Sequence, residues 1–170
     1  MKVLFSHGKE SGPWGFKIKR LAERVRSRGC ELDSIDYRGI DDPELRVEQL
    51  LKQAQAVSDE FILVGSSLGG YVSLVAAEKI NCRAIFLMAP ALYLPGFQQQ
   101  DYHPACRHIE LVHGWQDDVI PAQNSIRFAE QTRSSLHLID GGHGLRDVIV
   151  SVESIFSIFL DRALNQTDKS

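Results

Sequence analysis

The sequence predicts an α/β fold: a mostly parallel sheet of about six strands with helices on both faces, a three-layer arrangement. Three observations carry that prediction. Compact apolar runs recur along the chain, segments with helical spacing lie between them, and strands apolar on both faces imply a parallel sheet covered on both sides.

The first run, Val3–Phe5, reads as a strand and is cut short by Ser6-His7-Gly8. Ile18, Leu21, Ala22 and Val25 then repeat with helical spacing, so that helix lays one apolar face on the sheet, and Pro13 is expected in its first turn, where a missing amide donor costs little. Glu31–Tyr37 is more charged than the other strands and suits a sheet edge. Val47, Leu50, Leu51 and Ala54 mark a second helix, opened by Pro43. Phe61–Val64 is the next strand, and Tyr71–Ala77 is so apolar or small that its helix must be buried nearly all round. Ile85–Met88 and Ile109–Val112 are strands; the stretch between them, 89–107, is long for a connector and is expected to form a short lid-like flap beside the substrate. Pro121 is expected in the first turn of a further helix, Leu136–Ile139 is the last strand, and Val148, Val152, Ile155, Phe156 and Phe159 share one face of a closing helix. Residues 1–164 are expected to form one domain and 165–170 a dispensable polar tail.

At 170 residues with 44% hydrophobic content, the chain can bury a core without disulfide or metal staples. Its net charge of -3 comes from intermixed charges, and no lysine or arginine run could track a phosphate backbone, so nucleic acid is not an expected partner. Cys30, Cys82 and Cys106 make neither a CxxC pair nor an even set, and read as reduced thiols of a cytoplasmic protein. No signal-peptide core and no membrane-crossing stretch is visible, so no membrane partner is expected. His103 and His108 lack metal-ligand spacing; no metal or other cofactor is predicted. His7, His113 and His137 read as structural, the first two bracing their loops.

The informative stretch is VGSSLGGYV, Val64 to Val72. It fits G-x-S-x-G only with Ser67 at the centre, which makes Ser67 the candidate nucleophile of a strand-to-helix elbow. Small neighbours let such a turn close. By itself GSSLGG also suits a phosphate-cradling turn, but GxGxxG is absent and HGKES lacks the upstream glycine of a P-loop. A serine hydroxyl is a poor nucleophile unless a base in hydrogen-bond reach is oriented by an acid. HGWQDDVIP, His113 to Pro121, presents Asp117 or Asp118 after one strand, and LIDGGHG, Leu138 to Gly144, presents His143 after the next. The chain order Ser, Asp, His follows the order of the α/β-hydrolase pattern.

On FSHGKES, GSSLGG, HGWQDDVIP and GGHG the chain resembles the α/β-hydrolase superfamily, in particular its small members with almost no cap. The resemblance covers nearly the whole chain. It implies Asp117 rather than Asp118 as the acid, with Ile120 in the valine place of the family pattern, and His143 as general base and then general acid. It implies an oxyanion hole from the backbone amides of Leu68 and Lys9, where many relatives carry an apolar or small residue in place of Lys9. A lysine there would suit an anionic substrate, or simply be solvated beside Glu10. Trp14, Leu92 and Tyr93, with Leu94, Phe97 and Tyr102, are candidates to line an acyl pocket. The expected function is hydrolysis of a small-molecule carboxylic ester or thioester, with a small acyl group, through an acyl-enzyme. The alternatives are a binding or scaffold protein that keeps the fold without turnover, and an acyltransferase or peptidase using the same triad.

Overall fold

The structure, a computed structural model, describes residues 1–57, 60–106 and 108–165. Six strands form one all-parallel sheet: β1 (Lys2–Ser6), β2 (Glu31–Ile35), β3 (Phe61–Ser66), β4 (Ala84–Met88), β5 (Ile109–Gly114) and β6 (Ser135–Ile139), in the spatial order β2-β1-β3-β4-β5-β6. Successive residues along the central strands feed two separate cores. Val3, Phe5, Ile62, Val64 and Phe86 face one; Leu4, Leu63, Ile85 and Leu87 face the other. That is why these strands read as unbroken apolar runs.

Helices α1 (Phe16–Arg26) and α5 (Ile149–Asn165) cover the first face, and α2 (Pro43–Gln55), α3 (Leu68–Ala76) and α4 (Ala122–Thr132) the second. Most of the helical spacings land as read: Ile18, Leu21, Ala22 and Val25 of α1 are buried, as are Val47, Leu50 and Ala54 of α2, with Leu51 only partly so, and every residue of α3 is buried, whereas Val148 lies just before α5. Near the start of β5 the carboxylate of Glu110 is also buried; it is satisfied by His137 of β6, whose Nε2 lies 2.7 Å away.

Three local expectations are corrected. Pro13 lies outside α1, in a turn closed by the Gly15 amide on the Gly12 carbonyl at 3.1 Å, where proline suits the second position. Pro121 caps α4 with ψ at 130°, outside the helical range, so the helix proper starts at Ala122. The strand at 135–139 forms the edge of the sheet opposite β2 and is only partly buried, although its sequence reads like a core strand. Pro43 does occupy the first turn of α2, behind Asp42, whose carboxylate accepts the Glu44 amide at 2.8 Å. Asn165 closes α5, and the remainder of the expected tail lies outside the described residues, as does Arg107 of the expected flap. No helix among the described residues is long and apolar enough to cross a membrane.

The strand order reverses between β1 and β3. The loops leaving these neighbours run to opposite faces and open a crevice at their carboxyl ends. The loops after β1, β3, β5 and β6 meet there.

Candidate active site

Ser67 occupies the single-residue turn between β3 and α3, with φ 54° and ψ −120°. A non-glycine residue held there stores on the order of 1–3 kcal/mol of backbone strain. The surroundings enforce it. The Ser67 amide donates to the Met88 carbonyl at 3.0 Å, and the Ser67 carbonyl accepts the amides of Gly70 at 2.9 Å and Ala91 at 3.0 Å. Ser66, by contrast, is the last residue of β3, buried and paired with Met88 across the sheet.

Two glycines allow the turn to close. A Cβ on Gly65 would lie 2.6 Å from the Gly70 Cα, and one on Gly69 would lie 2.8 Å from the His7 carbonyl oxygen. Because that obstacle is main chain, Gly69→Ala is expected to lower stability by roughly 3 kcal/mol, checked by urea unfolding; a loss below about 1 kcal/mol would contradict the packing.

His143 follows β6 on a glycine-rich turn. Its Nε2 stands 3.0 Å from the Ser67 Oγ and its Nδ1 2.8 Å from the Asp117 Oδ2. A carboxylate can only accept, so Nδ1 carries the proton and Nε2 is left as acceptor for the serine hydroxyl. A hydroxyl so placed can surrender its proton to the ring as it attacks a carbonyl.

Asp117 lies in the turn after β5 with its side chain fully buried. Four donors serve it. Oδ1 accepts the amides of Val119 at 2.9 Å and Ile120 at 2.8 Å; Oδ2 accepts His143 and, at 3.1 Å, the Nε2 of His113. Burial alone would raise its pKa, but the Ile120 amide, the His143 ring and the Val119 amide together outweigh burial and hold the carboxyl below its usual range. Asp118, next along, is exposed and shares no hydrogen bond with these groups among the described residues.

His113 does more than brace its loop. Its Nδ1 accepts the Ser125 hydroxyl at 2.7 Å, which leaves the Nε2 proton to the Ile120 carbonyl at 3.0 Å and to Asp117. Burial lowers its pKa, so the ring stays neutral at pH 7 and donates without adding charge. Sequence spacing shows a histidine four residues before an aspartate after a strand, but not that the two meet.

Lys17 of α1, absent from the sequence reading, places its Nζ 3.4 Å from the His143 carbonyl oxygen. Burial pushes its pKa down to about 8, with Arg146 acting in the same sense and Asp117 opposing. Between about 8 and the ordinary 10.5 the unfolded chain holds more protons at this position than the folded one, so stability rises with pH across that window. Removing the amine removes this dependence. The difference in Tm, Lys17→Met minus wild type, should therefore be more positive at pH 7 than at pH 10, and a difference that grows towards pH 10 would contradict the burial of the charge.

The amides of Leu68 and Lys9 donate to no acceptor among the described residues. Leu68 is the first residue of α3, and Gly8, which precedes Lys9, packs against the Ser67 turn, a Cβ there being 3.3 Å from the Ser67 Cβ. Beside Ser67 opens a slot of about 310 Å³, lined by Lys9, Leu68, Ala91, Leu94, Phe97 and Ile120. Of the expected pocket residues, Leu94 and Phe97 are here, whereas Trp14, Leu92 and Tyr93 are not. Leu92 is buried in the core and its carbonyl accepts from Asn124; the Tyr93 hydroxyl donates to Gln131 under the Arg127 guanidinium; Trp14 lines a separate shallow depression with Arg38. In the segment after β4 the backbone takes positive φ at Ala89 (43°) and Tyr93 (55°). A larger cleft of about 700 Å³, between Tyr102 and Thr132, contains none of the residues around Ser67.

The profile of an uncharacterised protein family, UPF0227, matches residues 2–102. No curated protein matches the chain. Among solved structures, a protein of the alpha/beta hydrolase superfamily from Xanthomonas campestris pv. campestris is similar over 95% of this chain and 98% of its own, with 30% identity and a TM-score of 0.88. A second protein from Xanthomonas campestris, described as an α/β serine hydrolase without lid, is similar over 98% of this chain and 83% of its own, with 21% identity and a TM-score of 0.74. Est1E from Butyrivibrio proteoclasticus is similar over 97% and 88%, with 17% identity and a TM-score of 0.82. Taken with the parallel sheet and the strained serine turn after β3, these matches make the chain a member of the uncharacterised family UPF0227 within the α/β hydrolase superfamily.

Proposed function

We propose that this protein is a serine hydrolase that cleaves carboxylic esters or thioesters of small acyl groups through an acyl-enzyme. One observation carries the reading: a serine hydroxyl on a strained turn lies 3.0 Å from an imidazole nitrogen whose other nitrogen lies 2.8 Å from a buried carboxylate. In the proposed cycle the Ser67 oxygen attacks the acyl carbon as its proton passes to His143 Nε2, and Asp117 stabilises the imidazolium. The negative charge that develops on the carbonyl oxygen is received by the Leu68 and Lys9 amides. The imidazolium then gives its proton to the leaving alcohol or thiol. Water enters, His143 takes a proton from it, and the resulting attack frees the carboxylic acid and restores Ser67.

The size of the acyl group follows from the slot. At about 310 Å³ it stands at the low end of the ~300–1,000 Å³ typical of small-molecule sites. Its Leu68, Leu94, Phe97 and Ile120 walls favour an apolar group, and one side is open to solvent. Chromogenic esters of increasing acyl length test this directly. Turnover is expected to peak at short chains and fall at long ones; a protein inert towards all of them that binds the same esters reversibly would point to a non-catalytic binding protein. Product transfer to added alcohol in preference to water would point to an acyltransferase, and cleavage of amides in preference to esters to a peptidase.

A further inference from the structure

Arg46, on the first turn of α2, is 2% exposed and forms no ion pair among the described residues. A buried cation without a carboxylate is costly, so its contacts matter. Its Nε donates to the Ile40 carbonyl at 2.6 Å, and its Nη1 lies 3.5 Å from both the His7 and the Gly8 carbonyl oxygens. Its guanidinium stands over the Tyr37 ring, 5.3 Å from the centroid. The Gly8 carbonyl has a second donor, the His7 Nδ1 at 2.7 Å. That tautomer is fixed, because His7 Nε2 accepts the Tyr37 amide at 2.9 Å and a main-chain N–H can only donate.

Two donors, one of them charged, thus converge on the Gly8 carbonyl. That carbonyl and the Lys9 N–H belong to one planar trans peptide and point in opposite directions. With the oxygen directed inward at Arg46, the N–H is directed outward, on the side where Lys9 and Ser67 share the slot. Hydrogen bonds to the oxygen draw electron density through the peptide and make its N–H a stronger donor.

We propose that Arg46 is a positioning residue of the oxyanion site: acting with the neutral His7 ring, it orients and polarises the Gly8–Lys9 peptide so that the Lys9 amide is preformed for charge on the acyl carbonyl oxygen. The proposal rests on the hydrolase reading above. Arginine suits the task because it keeps its charge when buried, whereas a lysine readily loses it. A purely structural arginine would hold the Ile40 turn and α2, and its loss would lower stability without acting selectively on the transition state.

The test compares wild type, Arg46→Met and Arg46→Lys by ester kinetics and by the proton shift of the Lys9 amide in a 15N-resolved spectrum. In Arg46→Met, kcat should fall about 30-fold or more with KM within about threefold, because only transition-state charge is affected. The Lys9 amide proton should move upfield, and Arg46→Lys should recover part of both. A kcat within about threefold of wild type in a folded Arg46→Met overturns the proposal, as does a Lys9 resonance that stays in place. If Arg46→Met does not fold, Arg46→Lys is judged on the same two readings. Should the wild type hydrolyse no ester, the hydrolase reading falls, and the Lys9 shift alone then decides whether Arg46 polarises the peptide.

Discussion

Ser67→Ala is expected to cut ester turnover by at least about 10⁴-fold, since the covalent route is lost and only binding and oxyanion stabilisation remain. The fold should survive, because among the described residues the hydroxyl makes a single hydrogen bond, to a ring at the surface of the crevice. Ser67→Gly separates chemistry from strain more sharply. At φ 54° and ψ −120° a Cβ is disfavoured, and its removal should recover about 1–3 kcal/mol of strain against roughly 0.5–1 kcal/mol of added chain entropy. An inactive Ser67→Gly with a raised Tm is the expected result. A residue in that conformation for no functional reason would be a pure liability, so loss of turnover with gain of stability in one variant would tie the strain to activity. Thermal melts beside kcat measurements read both, and an active Ser67→Ala would remove Ser67 from the mechanism.

The second large effect is at Asp117. Asp117→Asn keeps the shape of the side chain but replaces one acceptor oxygen by an NH₂. The Val119 and Ile120 amides both donate to Oδ1, so the asparagine oxygen is expected to stay there and its NH₂ to face His143 and His113. His143 Nδ1 must then accept, which moves the ring proton to Nε2, the nitrogen that should take the serine proton. A fall in kcat of about 10⁴-fold is expected from this wrong tautomer. Asp118→Asn, one residue away but exposed, should change kcat less than about twofold. The pair of variants, measured on one ester, decides between the two carboxylates; equal losses would contradict the geometry.

Much of this architecture is written in the sequence because burial on two faces leaves the middles of β1, β3 and β4 apolar, and one-sided burial spaces the apolar residues of α1 and α2. Ser67, Asp117 and His143 are legible for a related reason: each sits in a short turn at a strand end, where glycines and a fixed spacing record the local geometry. The slot is different. Leu94 lines it and Leu92 does not, and the segment from 89 onward has no period from which to read that choice. His113, Lys17 and Arg46 fail to stand out for another reason. Their roles depend on burial and on partners up to 126 positions away, and a lone histidine, lysine or arginine carries no local mark of either. The edge strand β6 is only partly buried despite its apolar residues, because it stands at the end of the sheet with a neighbour on one side only.

The central claim is that Ser67 is activated by His143 and Asp117. Labelling the folded protein with a fluorophosphonate and locating the adduct by peptide mass tests it most directly. A single adduct on Ser67, absent from Ser67→Ala and slowed by orders of magnitude in His143→Ala, is the predicted result. A folded wild-type protein that takes up no label at Ser67, or labels there equally fast without His143, would contradict it.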